Sequence, residues 1–144
     1  MLHDIKLSQI MTTNVKTVHP DDTMEAVQNI FEHNTFHHVP VVKDGNAVGI
    51  ISRSDYDKLC HSFTLFNHKS SERYNDGLMK SLLVIEVMST QLATLNEDDT
   101  ILTAAAFFRE NLFHAIPIVN SEKVFVGIVT TYDLLNYAFK EVVV

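Results

Sequence analysis

The chain has 144 residues, 46% of them apolar and 20% charged, with a net charge of −7. That length suits one compact domain or two small lobes, and the composition is too apolar for a disordered chain. The acidic balance, with Lys and Arg scattered along the chain, excludes a general nucleic-acid binder, which needs a basic stripe. No apolar run approaches the ~20 residues that span a bilayer, so no membrane partner is expected. The charged, amphipathic residues 1–11 do not read as a secretory leader. The single cysteine, Cys60, cannot close an internal disulfide. A reducing, cytoplasmic setting is expected, with Cys60 a small apolar filler rather than a nucleophile.

Residues 2–10 lead into a first set of elements. Residues 15–18 read as a short extended segment. Asp22-Thr-Met-Glu25 reads as a helix start, with Asp22 as the cap and Glu25 three residues on. Val27, Ile30 and Phe31 recur at helical spacing, and Asn34 suits a left-handed stop. Two strands follow over residues 38–42 and 47–52, around the turn Lys-Asp-Gly-Asn. A second helix is expected over residues 54–63. Residues 67–77 are polar and turn-rich and read as a mobile loop, after which 78–83 return as a second lead-in.

The same succession then returns. At an offset of 77, Met11-Thr-Thr13 falls on Met88-Ser-Thr90, Asp21-Asp-Thr23 on Asp98-Asp-Thr100, Phe36-His37 on Phe113-His114 and Pro40 on Pro117. One extra residue near Glu122-Lys123 moves the offset to 78, and Gly49-Ile-Ile-Ser-Arg-Ser-Asp55 then meets Gly127-Ile-Val-Thr-Thr-Tyr-Asp133. The second copy predicts an extended segment over 92–95, a helix through Ile101, Ala104, Phe107 and Phe108 to Asn111, strands over 115–119 and 124–130, and a helix over 132–141. Leu102 stands where Glu25 does, so the reciprocal cap is expected only in the first copy.

The repeated phrase, Gly, two apolar residues, Ser or Thr, two variable residues and Asp, sits at a strand-to-helix junction. Ser52 and Thr130, with the free N–H groups of the first helical turn, make an anion site suited to phosphate. Asp55 and Asp133 would repel phosphate, but two carboxylate oxygens suit the two hydroxyls of a ribose. The structural alternative is that the hydroxyl caps the helix and the Asp favours its dipole.

With Met-Ser/Thr-Thr, Asp-Asp-Thr, the apolar-His-x-apolar-Pro-apolar strand and the Gly-to-Asp phrase in both copies, each repeat resembles the CBS domain. The pair resembles a stand-alone Bateman module over nearly all of residues 5–140. The resemblance implies an α+β fold of two β-α-β-β-α repeats packed about a pseudo-twofold axis. Repeat one would occupy 5–63, a linker with the mobile loop 64–81, and repeat two 82–141.

The resemblance also implies a regulatory module that requires no cofactor and binds an adenosine compound (AMP, ADP, ATP or S-adenosylmethionine) in clefts between repeats. Carried over, one cleft would use Ser52, Arg53 and Asp55 with Gln91, Leu92, Ala93 and His114. The other would use Thr130 and Asp133 with Asn14, Val15, Lys16, Phe36 and His37. Tyr132 departs from the family's smaller or polar residue before the Asp, whereas Arg53 suits a charged tail in the first cleft. The resemblance further implies a homodimer, with Leu59, Leu134, Leu135 and Phe139 as candidates for its surface, and a separate effector protein.

Other readings carry less. His37 and His38 are adjacent on a strand and point to opposite faces, so they do not make a metal pair, and no zinc-type spacing occurs. No P-loop or dinucleotide glycine pattern exists among the four glycines, and no catalytic order of Ser, His and Asp stands out. A His114–Asp133 base pair is less economical than the repeat as an account of both positions. The remaining alternative is a ligand-free dimerisation scaffold, which would have no use for Asp55 and Asp133.

Overall fold

A computed structural model of the chain describes residues 4–61 and 76–140. The chain divides into two compact units, and the division is not sequential. One unit is Lys16–Thr90, and the other joins Met1–Val15 to Gln91–Val144. Each unit is α+β and has its own core.

In the unit Lys16–Thr90 the elements are α1 (Met24–His33), β1 (His38–Lys43), β2 (Asn46–Ser52) and α2 (Arg53–His61), followed by helical residues 76–81 and a short α3 (Val84–Val87). Strands β1 and β2 pair antiparallel from His38↔Ser52 to Lys43↔Asn46. They are joined through Asp44 and Gly45, with φ of 52° and 82°. Two successive positive φ values twist the turn as the strands twist, which is why Asp-Gly serves here. Val18 adds a parallel bridge to Val41. Helix α1 offers Met24, Val27 and Phe31, at helical spacing, to a core completed by Val39, Val41 and Ile51 of the sheet.

The second unit repeats the pattern with β3 (Leu95–Asn96), α4 (Ile101–Arg109), β4 (Ala115–Val119), β5 (Phe125–Thr130) and α5 (Thr131–Ala138). Strand β3 pairs parallel with β4 at Leu95↔Ile118, and β4 pairs antiparallel with β5 from Ala115↔Thr130. Even the register break recurs, between Val41 and Val42 in one copy and Ile118 and Val119 in the other. Ile101 and Ala104 of α4 meet Ile116, Ile118 and Val129 of the sheet.

The lead-ins are exchanged between the copies. The backbone N–H of Leu7 donates to the Asp99 carbonyl at 2.8 Å, Ile101 N–H donates to the Ile5 carbonyl at 2.9 Å, and Thr12 and Ile128 exchange bonds of 2.9 and 3.0 Å. At the offset of 77 or 78, Val84 N–H donates to Asp22 at 2.8 Å, Met24 N–H to Leu82 at 2.8 Å, and Ser89 and Ile50 exchange bonds of 2.9 and 3.0 Å. The side chains follow the backbone. Leu7, in a 3₁₀ turn (Leu7–Gln9), is fully buried in the core of the second repeat, and Met79 and Val84 are fully buried in that of the first. Of residues 2–10, expected to lead into the first copy, the described ones therefore complete the second.

This exchange explains two of the glycines. A Cβ on Gly127 would lie 2.8 Å from the Thr12 carbonyl oxygen, whereas one on Gly49 would lie 2.4 Å from the Met88 sulfur. A backbone oxygen held in a pairing cannot retreat, but a methionine side chain can. Gly127→Ala is expected to cost about 1.5 kcal/mol and Gly49→Ala clearly less, as read from urea unfolding. Equal costs would mean that the backbone at Thr12 yields as easily as a side chain.

Some local expectations shift. The caps of α1 and α4 are Thr23 and Thr100, one residue past the expected Asp22, and neither gives a side-chain cap bond. Asp22 and Asp99 instead accept from the backbone N–H of His19 (2.8 Å) and Asn96 (2.9 Å), closing the turn ahead of the helix. The lead-in carbonyls of Leu82 and Ile5 satisfy the first helical N–H groups, and the Asp22 N–H that Glu25 would accept from in a reciprocal cap already donates to the His19 carbonyl at 3.0 Å. Asn34 is extended, with φ −141°, and its side-chain amide donates to the Ile30 carbonyl at 2.9 Å. The left-handed stop occurs at Asn111, φ 58°. The second helices begin one residue earlier than expected, at Arg53 and Thr131. Their expected ends at 63 and 141, and most of the loop over 67–77, lie outside the described residues. Among the described residues, no helix is long and apolar enough to cross a membrane.

Candidate functional site

Where β5 passes into α5, Thr130 is the helix cap, and its Oγ1 accepts from Asp133 N–H at 3.3 Å. The Asp133 carboxylate returns the contact. Its Oδ2 accepts from the Thr130 backbone N–H at 2.8 Å and from the Thr130 hydroxyl at 3.1 Å. Its Oδ1 lies 3.4 Å from the Thr12 hydroxyl, which the exchanged lead-in brings to the site. Asn14 and Val15 follow Thr12 in the same unit. Thr12 was not among the residues singled out from sequence. Its signal is the hydroxyl after methionine, present in both copies as Met11-Thr12 and Met88-Ser89.

In the other unit, Ser52 Oγ accepts from Asp55 N–H at 3.0 Å. The Asp55 side chain is exposed, and among the described residues its carboxylate accepts no hydrogen bond. Capping by the hydroxyl is thus common to both copies, while engagement of the carboxylate is not.

Arg53 has a local role beyond any charged ligand. Its guanidinium donates to three carbonyls, from Nε to Phe36 at 2.8 Å, from Nη1 to Phe31 at 3.1 Å and from Nη2 to Asn34 at 2.8 Å. It also stacks 4.7 Å from the centroid of the Phe31 ring. Three of its five N–H donors therefore close the C-terminal end of α1, where a cation also meets the helix dipole. The Arg53 backbone N–H donates to the His37 carbonyl at 2.7 Å, so Phe36 and His37 adjoin Arg53. His37, Arg53, Ser54, Asp57, Lys58, Cys60 and His61 line an open groove of about 960 Å³.

The remaining candidates divide by unit. Lys16 belongs with Ser52, Arg53, Asp55, Phe36 and His37, and Gln91, Leu92, Ala93 and His114 belong with Thr130 and Asp133. Among the described residues no three His, Cys, Asp or Glu side chains gather as a metal set. Cys60 packs against the core of the first repeat, and burial pushes its thiol pKa up, which suits a filler better than a nucleophile. On α5, Tyr132 and Leu135, 72% and 58% exposed, share one helical face at positions i and i+3, and Phe139, 54% exposed, follows as the C-cap residue. Leu59 and Leu134, two more of the expected surface residues, are partly buried and pack against the cores of their own units.

The CBS domain family model matches residues 7–61 and 84–140. The chain is similar to the solved CBS domain of a CBS domain containing membrane protein from Sphaerobacter thermophilus, with 30% identity, a TM-score of 0.74, and 94% of this chain and 88% of that one covered. It is similar to MJ1225 of Methanocaldococcus jannaschii, described as a proposed archaeal homologue of γ-AMPK, at 28% identity and a TM-score of 0.75 over 94% of this chain and 48% of that one. It shares its fold with CBSX2 of Arabidopsis thaliana, solved in complex with AMP, at 18% identity and a TM-score of 0.74 over 95% and 98% of the two chains. The chain spans less than half the length of two curated relatives it matches, 46% of MJ1225 and 44% of MJ1404. With the duplicated elements, the repeated phrase and the family match all covering the same residues, the chain belongs to the CBS domain family and carries two copies of the domain.

Proposed function

We propose that the protein is a regulatory module that binds an adenosine nucleotide at its Ser/Thr-x-x-Asp phrases and, as a homodimer in the cytoplasm, modulates a separate effector protein. The repeats proper would run over 5–63 and 82–141, joined by 64–81. The observation that carries this reading is Asp55, a carboxylate three residues into a helix whose N-terminus is already capped by Ser52. Its exposed oxygens accept no hydrogen bond among the described residues, and they suit a ribose diol while the helix N-terminus suits phosphate. The AMP complex of CBSX2 and the proposed kinship of MJ1225 with γ-AMPK support the ligand class. In this reading Gln91, Leu92, Ala93, Asn14, Val15, Lys16, Phe36, His37 and His114 face the rest of the nucleotide. A ligand changes the effector only if it binds two states of the module unequally.

A thermal-shift panel with AMP, ADP, ATP and S-adenosylmethionine tests this. A ligand at 100 times its Kd stabilises by about 2.7 kcal/mol, or roughly 5–10 °C for a chain of this size. No shift with any of the four would refute the reading. A second reading, an interaction scaffold, is favoured by the exposed apolar residues Tyr132 and Leu135 of α5 and Phe139 at its C-cap. Light scattering of the wild type and Leu135→Glu separates the two roles, because a scaffold loses its association without any nucleotide dependence.

A further inference from the structure

Resting on the nucleotide reading above, we propose that Thr12 is a latch on Asp133 that makes the two phrases unequal, so that the Asp55 phrase takes up nucleotide first. A carboxylate has about four lone-pair sites, two on each oxygen. At Asp133 both sites on Oδ2 are filled by Thr130, through its backbone N–H at 2.8 Å and its hydroxyl at 3.1 Å. Oδ1 faces the Thr12 hydroxyl at 3.4 Å. A cis-diol presents two donors, and the carboxylate has one site left for them without displacing Thr12.

Thr12 cannot simply withdraw. Its backbone is paired in both directions with Ile128, at 2.9 and 3.0 Å, and a Cβ on Gly127 would lie 2.8 Å from its carbonyl oxygen and 3.1 Å from the Met11 sulfur. Main-chain pairing therefore fixes the backbone that carries the hydroxyl beside the carboxylate, and only rotation of the side chain about χ1 takes it away. The matching position in the other unit is Ser89, paired equally with Ile50, yet exposed and without a hydrogen bond to Asp55 among the described residues. Thus the two lead-ins dock alike, but only one of them occupies its carboxylate. Gating a ribose site this way assigns Thr12 a positioning role, acting on ligand through Asp133.

The test is calorimetric titration of the full chain with AMP, ADP, ATP and S-adenosylmethionine, comparing the wild type with Asp55→Asn, Asp133→Asn, Thr12→Val and Thr12→Ser, all checked for native circular dichroism. Asp55→Asn is expected to weaken the tighter binding event more than tenfold, and Asp133→Asn to leave that event in place. Thr12→Val, which keeps the shape and removes the hydroxyl, is expected to tighten the weaker event by about two- to fivefold, the lower part of the range for one hydrogen bond because the contact is long at 3.4 Å. Thr12→Ser is expected to behave as wild type. Two equal events in the wild type, unchanged in Thr12→Val, would overturn the latch and leave the nucleotide reading standing. Loss of the tighter event in Asp133→Asn would also overturn it. No uptake of any of the four ligands by the wild type or by Thr12→Val would overturn both.

Discussion

Leu7→Ala is expected to destabilise the protein by about 3 kcal/mol, and the damage should appear in the second repeat although the residue precedes the first. Leu7 is fully buried with Leu95, Ile101, Ile116, Ile118 and Val129. Truncation removes its transfer free energy and leaves a cavity that strands fixed by their ladders cannot close. Hydrogen exchange locates the effect. Amides of β4 and β5 should lose protection in Leu7→Ala, while those of β1 and β2 keep theirs. Val84→Ala is the mirror experiment, since Val84 is fully buried in the core of the first repeat. Loss of protection over β1 and β2 in Leu7→Ala would mean that each lead-in serves its own repeat, contrary to the exchanged pairing.

Arg53→Met is expected to cost about 2–3 kcal/mol, because three carbonyls lose charge-assisted donors at once. The carbonyls of Phe31, Asn34 and Phe36 all lie where α1 ends and the chain turns into β1. In the second copy Thr131 stands at this position, and the helix ends on Asn111 with positive φ instead. Two solutions to one problem have diverged within the duplication. Lysine should not restore stability, since a point-charge ammonium cannot reach three carbonyls and stack on Phe31 as a planar fork does. Urea unfolding of Arg53→Met and Arg53→Lys checks this. Wild-type stability in either would show that the guanidinium is free to serve a ligand alone.

The helices and strands were legible because their cues are local. Apolar spacing, Asp-Gly at the first turn and the offset of 77 to 78 place β1, β2, β4 and β5 within a residue or so at each end. The exchange of lead-ins was not legible. Pairings such as Thr12 with Ile128 and Ser89 with Ile50 join distant positions and leave no periodicity in either partner. That gap explains the misplaced caps too, because Asp22 would be the natural cap if the lead-in carbonyl of Leu82 did not already meet the first helical N–H. At the site, the hydroxyl and carboxylate of each phrase were found from their spacing. The structural use of Arg53 and the contact of Thr12 with Asp133 depend on chain segments that only folding brings together.

The most direct test of the module as a nucleotide sensor is a calorimetric titration with AMP, ADP, ATP and S-adenosylmethionine of ligand-stripped wild type and of the double variant Asp55→Asn, Asp133→Asn. At Asp133 asparagine keeps an acceptor oxygen for Thr130, and at Asp55 the carboxylate accepts no hydrogen bond among the described residues, so the variant should retain its fold while losing the second acceptor a diol requires. At least one of the four should bind the wild type and bind the double variant more than tenfold more weakly, a difference of about 1.4 kcal/mol or more. Equal binding by both proteins, or no binding of any of the four by the wild type, would contradict the assignment.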